Sequence, residues 1–523
     1  MPESHGGDHP DHDARARAIF ALNLAEVRES VGVHEFDGVV QDLSPEGVAA
    51  TLSTVAQPRP DDAGLPHDER HLRAFERAAH VLFGEQEVHR WDPLLHIANL
   101  DLACYDRTYA PQEQRRAARA RHLAAWPDAV DGSLRSLDRV DAPVARALLS
   151  SAQGLTEGLR ELADDPEDPV DDATLGPALA AHARLVARLE EQAATGDPDC
   201  AVGAAVLAAN MGTVEALDVD LAALAEQADD ELERLSGLLT EACGRLAPGR
   251  PVDELVADLL TDHPDLDGVL EEARRVTTEV LRFTAERGLV PDTDGVCEVN
   301  PAPASRSWAM AMMSWAAPEE PDAPSQYYVT PPDPAWPAEE IAEWLSVFSR
   351  TTLPAITVHE VAPGHYTHGR SLRRAPTLVR RGLMSSSFAE GWAHYVEELL
   401  IEEGFRDGDP RYQIGVCVEA LLRVTRLSCA LGLHTGGMTV EEASLRFQRN
   451  AHLSAKAAES EAARGTFDIG YGRYTWGKLE IQRARERART AWGSGYSHSR
   501  FHTALMRLGS PPLGLLDTAI VEG

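Results

Sequence analysis

The stretch Val358-His359-Glu360-Val361-Ala362-Pro363-Gly364-His365 constrains this chain more than any other. Without Pro363 and Gly364 it reads H-E-x-x-H, a helix-borne pattern whose two histidines share one face and bind zinc. Six residues apart on an unbroken helix, the two rings would point about 120° away from each other. Pro363 has no N–H to give to the carbonyl of His359, so it breaks that turn. Gly364 reaches backbone conformations closed to other residues. A two-residue bulge here would return His365 to the face of His359. Both imidazoles would then bind one metal ion, with Glu360 beside it as general base. The alternative is a Pro-Gly turn that ends a helix between two incidental histidines.

A second segment, Phe388 to Glu398, reads as helix, with Phe388, Trp392, Tyr395 and Leu399 on an apolar stripe. Glu390 falls 25 residues beyond His365. That interval suits a chain that runs away, turns near Arg374-Ala375-Pro376 and Arg381-Gly382, and comes back. A catalytic zinc takes three protein ligands and keeps one position open. His359, His365 and Glu390 meet that need, and Gly391 would let the helix of Glu390 approach the metal helix closely. The alternative for Glu390 is an exposed carboxylate that complements a helix dipole.

The two motifs resemble a bacterial family known as domain of unknown function 885, whose pattern is H-E-x-x-P-G-H followed by E-G-W-A-x-Y-x-E. The lead-in Leu353 to Val358 and the segment Tyr327-Tyr328-Val329-Thr330 are similar to it as well. So are Arg423, Arg426 and Leu427 with Gly432-Leu433-His434, then Tyr474 with Gly477, and Phe501 to Gly509 with Pro512 and Leu516. The match covers about residues 325–520, and the N-terminal half is similar only in being helical. The family resembles helical zinc peptidases with a glutamate third ligand. The resemblance therefore implies that fold, with His359, His365 and Glu390 as ligands, and implies no substrate. His368 stands where the family usually has glutamine, His394 where it has an aliphatic residue, and Ala430 where it has aspartate. Changed surroundings of this kind retune a metal and its substrate.

Charge narrows the partners. Lys and Arg number 49 against 84 Asp and Glu, a net charge of −35. Such acidity argues against a nucleic-acid backbone or an anionic membrane. No run approaches 18 apolar residues, and Met1 to His9 lacks the basic start and apolar run of a signal peptide. Cys104, Cys200, Cys243, Cys297, Cys417 and Cys429 show no C-x-x-C spacing, which reads as reduced thiols in a cytoplasm. Hydrophobic residues, at 43%, suffice for a sizeable core.

Residues 1–12, with His5, His9 and His12, read as a disordered tail. Residues 13–290 read as an N-terminal helical lobe, a wall of the cleft, in which Cys200–Cys243 forms two long helices or one bent helix. Residues 291–335 read as a short β-rich segment, with strands at 296–299, 308–315 and 327–330. These predict a small antiparallel sheet near the active-site cleft, used either to bind a substrate main chain at its edge or only to cap the core. Residues 336–523 read as the C-terminal metal-binding lobe. The fold class is thus mainly α, a large two-lobed metallopeptidase-like fold.

The expected chemistry is hydrolysis of a peptide or amide bond in a small substrate, with one zinc ion per chain; iron and manganese stay open. Glu360 would take the proton of the attacking water. Tyr474 is the first choice to stabilise an oxyanion, and a buried packing role is its alternative. Arg423, Arg426, Arg473 and Tyr471 are candidates for gripping a substrate carboxylate, with ion pairs as the bland alternative. His434 and His394 are candidates to donate to an intermediate or orient Glu390, with core packing as theirs. A different metalloenzyme reaction of specialised metabolism is the second class: amidohydrolase, lyase or iron-dependent oxidation, since two histidines and a carboxylate also hold non-haem iron. A scaffold with a relic site is the third. The reading allows a homodimer.

Overall fold

Helical periodicity in the sequence becomes helix from Pro10–Phe20 at one end to Asp517–Glu522 at the other. The computed structural model describes residues 10–523 other than 62, 165–169, 304–305, 307–308 and 321–322. His5, His9 and Trp308 lie outside the described residues. His12 sits on the first helix, its Nε2 3.1 Å from Glu69. Helix starts follow local chemistry. Ser44, Asp92, Asp171, Asp220, Asp265, Ser385 and Asp409 each accept a hydrogen bond from the first turn that follows them. Pro45, Pro93 and Pro410 occupy first-turn positions, where a missing N–H costs nothing.

The run from Cys200 to Cys243 resolves into Ala204–Val214 and Leu221–Leu246, broken over 215–220. The second of these packs against Pro410–His434. Leu224, Leu235 and Leu239 from one, with Cys417, Leu421 and Val424 from the other, join one continuous core that extends from Leu207 to Ala519. A separate core, from Ile97 to Cys200, fills the N-terminal part. The helices between residues 204 and 287 therefore share their core with the metal-binding residues rather than with the N-terminal helices.

The sheet has three strands, β1 (Cys297–Pro301), β2 (Ala311–Ser314) and β3 (Ser325–Val329), in the order β1-β3-β2. It is mixed, not wholly antiparallel as the sequence suggests. β2 and β3 are antiparallel, with Met313 opposite Tyr327, whereas β1 and β3 are parallel, with Val299 opposite Tyr327. The reason is topological: β3 inserts between β1 and β2, and a central strand that is antiparallel to β2 enters beside β1 in the same direction. Tyr327 Oη lies 3.4 Å from Thr357 Oγ1, which lays the sheet over the helix Leu353–Glu360. Among the described residues no helix is long and apolar enough to cross a membrane.

Candidate metal centre

The first histidine helix stops at Glu360, and a new helix, His365–Leu372, starts five residues on. The chain thus solves the spacing problem with two helices and a tight turn, not with a bulge inside one helix. The Ala362–Pro363 peptide bond in that turn is cis. Gly364 is required by proximity. A Cβ there would lie 1.9 Å from the carbonyl oxygen of His359 and 2.4 Å from that of Val358. The Pro363 carbonyl accepts from Trp392 Nε1 at 2.8 Å and from Thr367 Oγ1 at 2.7 Å, so the turn is pinned to the helix Ser386–Glu402 that carries Glu390.

That helix is itself held at its start. Ser385 caps it through the N–H of Phe388 and donates to the buried Glu215, and its N–H reaches the carbonyl of Ser510. Gly391 does provide a close helix approach, but to a different partner. A Cβ on Gly391 would meet the backbone of Gly477 at 2.4 Å, and one on Gly477 would meet the Ser387 carbonyl at 1.9 Å. The crossing helix is therefore Arg473–Trp492, and Tyr474 arrives beside the site on its first turn.

The result brings His359, His365 and Glu390 together, with one ligand atom from each and all three within 4.8 Å of one another. Glu390 Oε2 is 3.4 Å from His359 Nε2 and 3.3 Å from His365 Nε2. Ligands at about 2.0–2.1 Å around a tetrahedral ion stand roughly 3.3–3.4 Å apart. The donor set and these two separations suit three ligands of one metal ion, the third pair lying within 4.8 Å. Burial would raise the Glu390 carboxyl, but the two imidazoles outweigh it and hold it well below the usual range. His359, His365 and Glu360 are each less than a tenth exposed, and Glu390 is partly exposed. The Glu360 side chain, one residue after His359, makes no hydrogen bond to another described residue.

Behind the cluster stands Glu397, to which no role was assigned from sequence. Its Oε1 accepts from His359 Nδ1 at 2.7 Å, and its Oε2 lies 3.0 Å from Arg423 Nη1 and 3.5 Å from His394 Nδ1. Burial alone would raise this carboxyl, but Arg423 overcomes it and keeps it ionised. A carboxylate on the far nitrogen fixes the tautomer and aim of a metal-binding imidazole. The signal was present: Glu397 is seven residues after Glu390, so both project from one face of the helix.

Most of the other candidates are engaged elsewhere. Arg423 serves Glu397 and stands 3.6 Å from Glu419, so it positions rather than grips. Arg426 makes a two-pronged pair with Glu461 at 2.7 and 2.6 Å, and Arg473 pairs with Asp468. Buried guanidinium groups need carboxylates, and these are taken from within the fold. Tyr471 is fully buried in a side core with Phe447 and Leu433. His434 has Nε2 2.8 Å from the Gly465 carbonyl and Nδ1 3.2 Å from that of Cys200, which makes it a structural tie. Tyr474 remains at the site. Its ring stacks 6.4 Å from that of His359, with Arg426 over its other surroundings at 5.4 Å. Trp315, which the sequence placed only in a strand, packs 6.0 Å from the His365 ring.

Residues 26–520 match the family described as "Bacterial protein of unknown function (DUF885)". The chain belongs to that family. Two solved structures share the fold. One is a "putative lipoprotein of unknown function" from Shewanella oneidensis, 20% identical, with a TM-score of 0.78 over 98% of each chain. The other is a "putative lipoprotein" from Colwellia psychrerythraea, 16% identical, with a TM-score of 0.75 over 98% of each chain. No curated protein matches the chain. Of the positions that depart from the DUF885 pattern, His368 and His394 are fully buried, and Ala430 is nearly so. His394 sits against Glu397, one step behind His359.

Proposed function

We propose that this protein is a metal-dependent hydrolase of peptide or amide bonds, with zinc held by His359, His365 and Glu390. The observation that carries the reading is the approach of Glu390 Oε2 to both Nε2 atoms, at 3.4 and 3.3 Å, with an unengaged Glu360 side chain one residue from His359. Zinc so held supplies a Lewis acid that polarises a carbonyl and acidifies water. Glu360 takes the proton of the attacking water and returns it to the leaving amine. Tyr474, on the first turn of its helix, donates to the oxygen on which charge develops. Glu397 and Arg423 hold His359 in one orientation throughout. Small substrates suit the site, because a reacting carbonyl has to reach side chains that are more than nine-tenths buried.

Iron in an oxidative enzyme is the second reading, supported by the two-histidine, one-carboxylate set. The cytoplasm is the compartment this reading assigns, on six cysteines that are all unpaired. The two structural relatives are named as lipoproteins, and cell fractionation decides for this chain. The functional test is Glu360→Gln. Turnover of a peptide pool is expected to fall by about 100-fold or more with the metal retained. Turnover equal to the unaltered protein would exclude Glu360 as the base.

A further inference from the structure

Hydrogen-bond phase along β2 leaves one side of the sheet open. The Thr330 N–H donates to the Met310 carbonyl at 2.8 Å. Antiparallel pairs alternate, so Met310, Met312 and Ser314 turn their backbone groups toward β3. Ala311 and Met313 must then turn theirs outward. Among the described residues, neither has a hydrogen-bond partner for its outward N–H or carbonyl, and both side chains are half-buried. The opposite edge is managed differently. There the outward carbonyl of Val299 on β1 is taken by Arg274, at 3.2 and 3.0 Å.

The open edge leads to the metal centre. Ala311, Met313 and Trp315 share one phase, two residues apart, so their side chains line the same face. Met313 lies opposite Tyr327, whose hydroxyl meets Thr357, two residues before His359. Trp315 packs against the rings of His365 and His368 and is seated on Gly369, where a Cβ would lie 2.7 Å from it. The strand therefore runs over the first histidine helix and ends at the second histidine.

Resting on the peptide-hydrolase reading, we infer that the outer edge of β2 binds the main chain of an extended peptide, which pairs with Ala311 and Met313 and passes Trp315 to reach the metal. Backbone groups left half-buried without partners gain from such an added strand. Recognition is then of the peptide backbone at alternate residues, largely indifferent to the side chains between them. The substrate class is an extended peptide rather than an isolated amide or a folded surface.

The test is residue-resolved hydrogen exchange of metal-replete Glu360→Gln protein with and without an equimolar pool of unstructured octapeptides, run beside cleavage of the same pool by the unaltered protein. Exchange at Ala311 and Met313 is expected to slow about fivefold or more, with Met312 and Ser314 unchanged. Protection without cleavage keeps the edge and removes the hydrolase reading. Cleavage without protection at Ala311 and Met313 removes the edge and keeps the hydrolase. Neither protection nor cleavage overturns both. A second variant, Met313→Pro, deletes the outward N–H, a change an edge strand tolerates, and Met313→Ala, which keeps that N–H, controls for the lost side chain. Met313→Pro is expected to raise KM about fivefold at unchanged kcat and metal content. An unchanged KM would overturn the pairing.

Discussion

The Nδ1 atom of His359 lies 2.7 Å from Oε1 of Glu397, while Nε2 of the same ring faces Glu390. One imidazole thus joins a buried carboxylate that aims it to the carboxylate that would share its metal. Arg423 holds Glu397 from behind at 3.0 Å.

Glu397→Gln removes the charge but keeps the size. Zinc affinity is expected to fall by about 10–100-fold, because ligand basicity and aim both weaken. Competition against a chelator of known affinity measures this. Unchanged affinity would mean that His359 is held by its own packing.

His394 is fully buried, and neither ring nitrogen has a hydrogen-bond partner; burial, then Lys478, push its pKa down to about 4, so the ring is neutral. His394→Leu exchanges unpaired polar atoms for a side chain of similar bulk. Stability is expected to hold or rise, by about 1–2 kcal/mol. The urea midpoint checks it. A clear loss would show that the 3.5 Å approach to Glu397 matters.

At Gly391 an added methyl would meet backbone, which cannot step aside. Gly391→Ala is expected to cost about 1–3 kcal/mol or more and to lower metal content, since Glu390 precedes it. Gly237 lies in the helix Leu221–Leu246 with nothing within 4 Å of its position. Gly237→Ala is expected to gain about 1 kcal/mol. Calorimetry on the pair separates crowding from propensity.

Stability is expected to fall with acid in two stages. Burial opposes ionisation of Glu398, but Lys478 and Arg234 bring its pKa to about 2 from 4.5. Its contribution is complete above pH 4.5 and is lost as pH falls through 2. Burial depresses His71 to about 4 and His502 to about 3 from 6.5. Their contribution is complete above pH 6.5 and declines as pH drops toward those values, because the unfolded chain takes up the protons first. The urea midpoint should therefore decline below pH 6.5 and steepen below 4.5; burial opposes the charge on His34, but Asp37 and Glu320 raise its pKa to about 9, so the midpoint should also fall as pH rises from 6.5 through 9. A midpoint constant down to pH 4 would contradict this.

What was legible in the sequence is what local chemistry dictates. His359, His365 and Glu390 come together as their motifs imply: a proline and a glycine set the turn between the histidines, and the helix of Glu390 returns to that turn through Trp392. Long-range pairing was not legible. Arg423, Arg426 and Arg473 offered free charge on paper, yet their carboxylates come from Glu397, Glu461 and Asp468, and nothing local names those partners. Gly391 is expected from sequence to bring its helix against the metal helix, and its close approach is instead to Gly477 on Arg473–Trp492. The parallel β1–β3 pair depends on a strand order that no single strand encodes.

The most direct measurement is elemental analysis of protein purified without chelator or added histidines, beside His359→Ala. About one zinc per chain, lost in the variant, is the expected result. No bound metal in either protein, even after reconstitution, would contradict the metal centre and the function built on it.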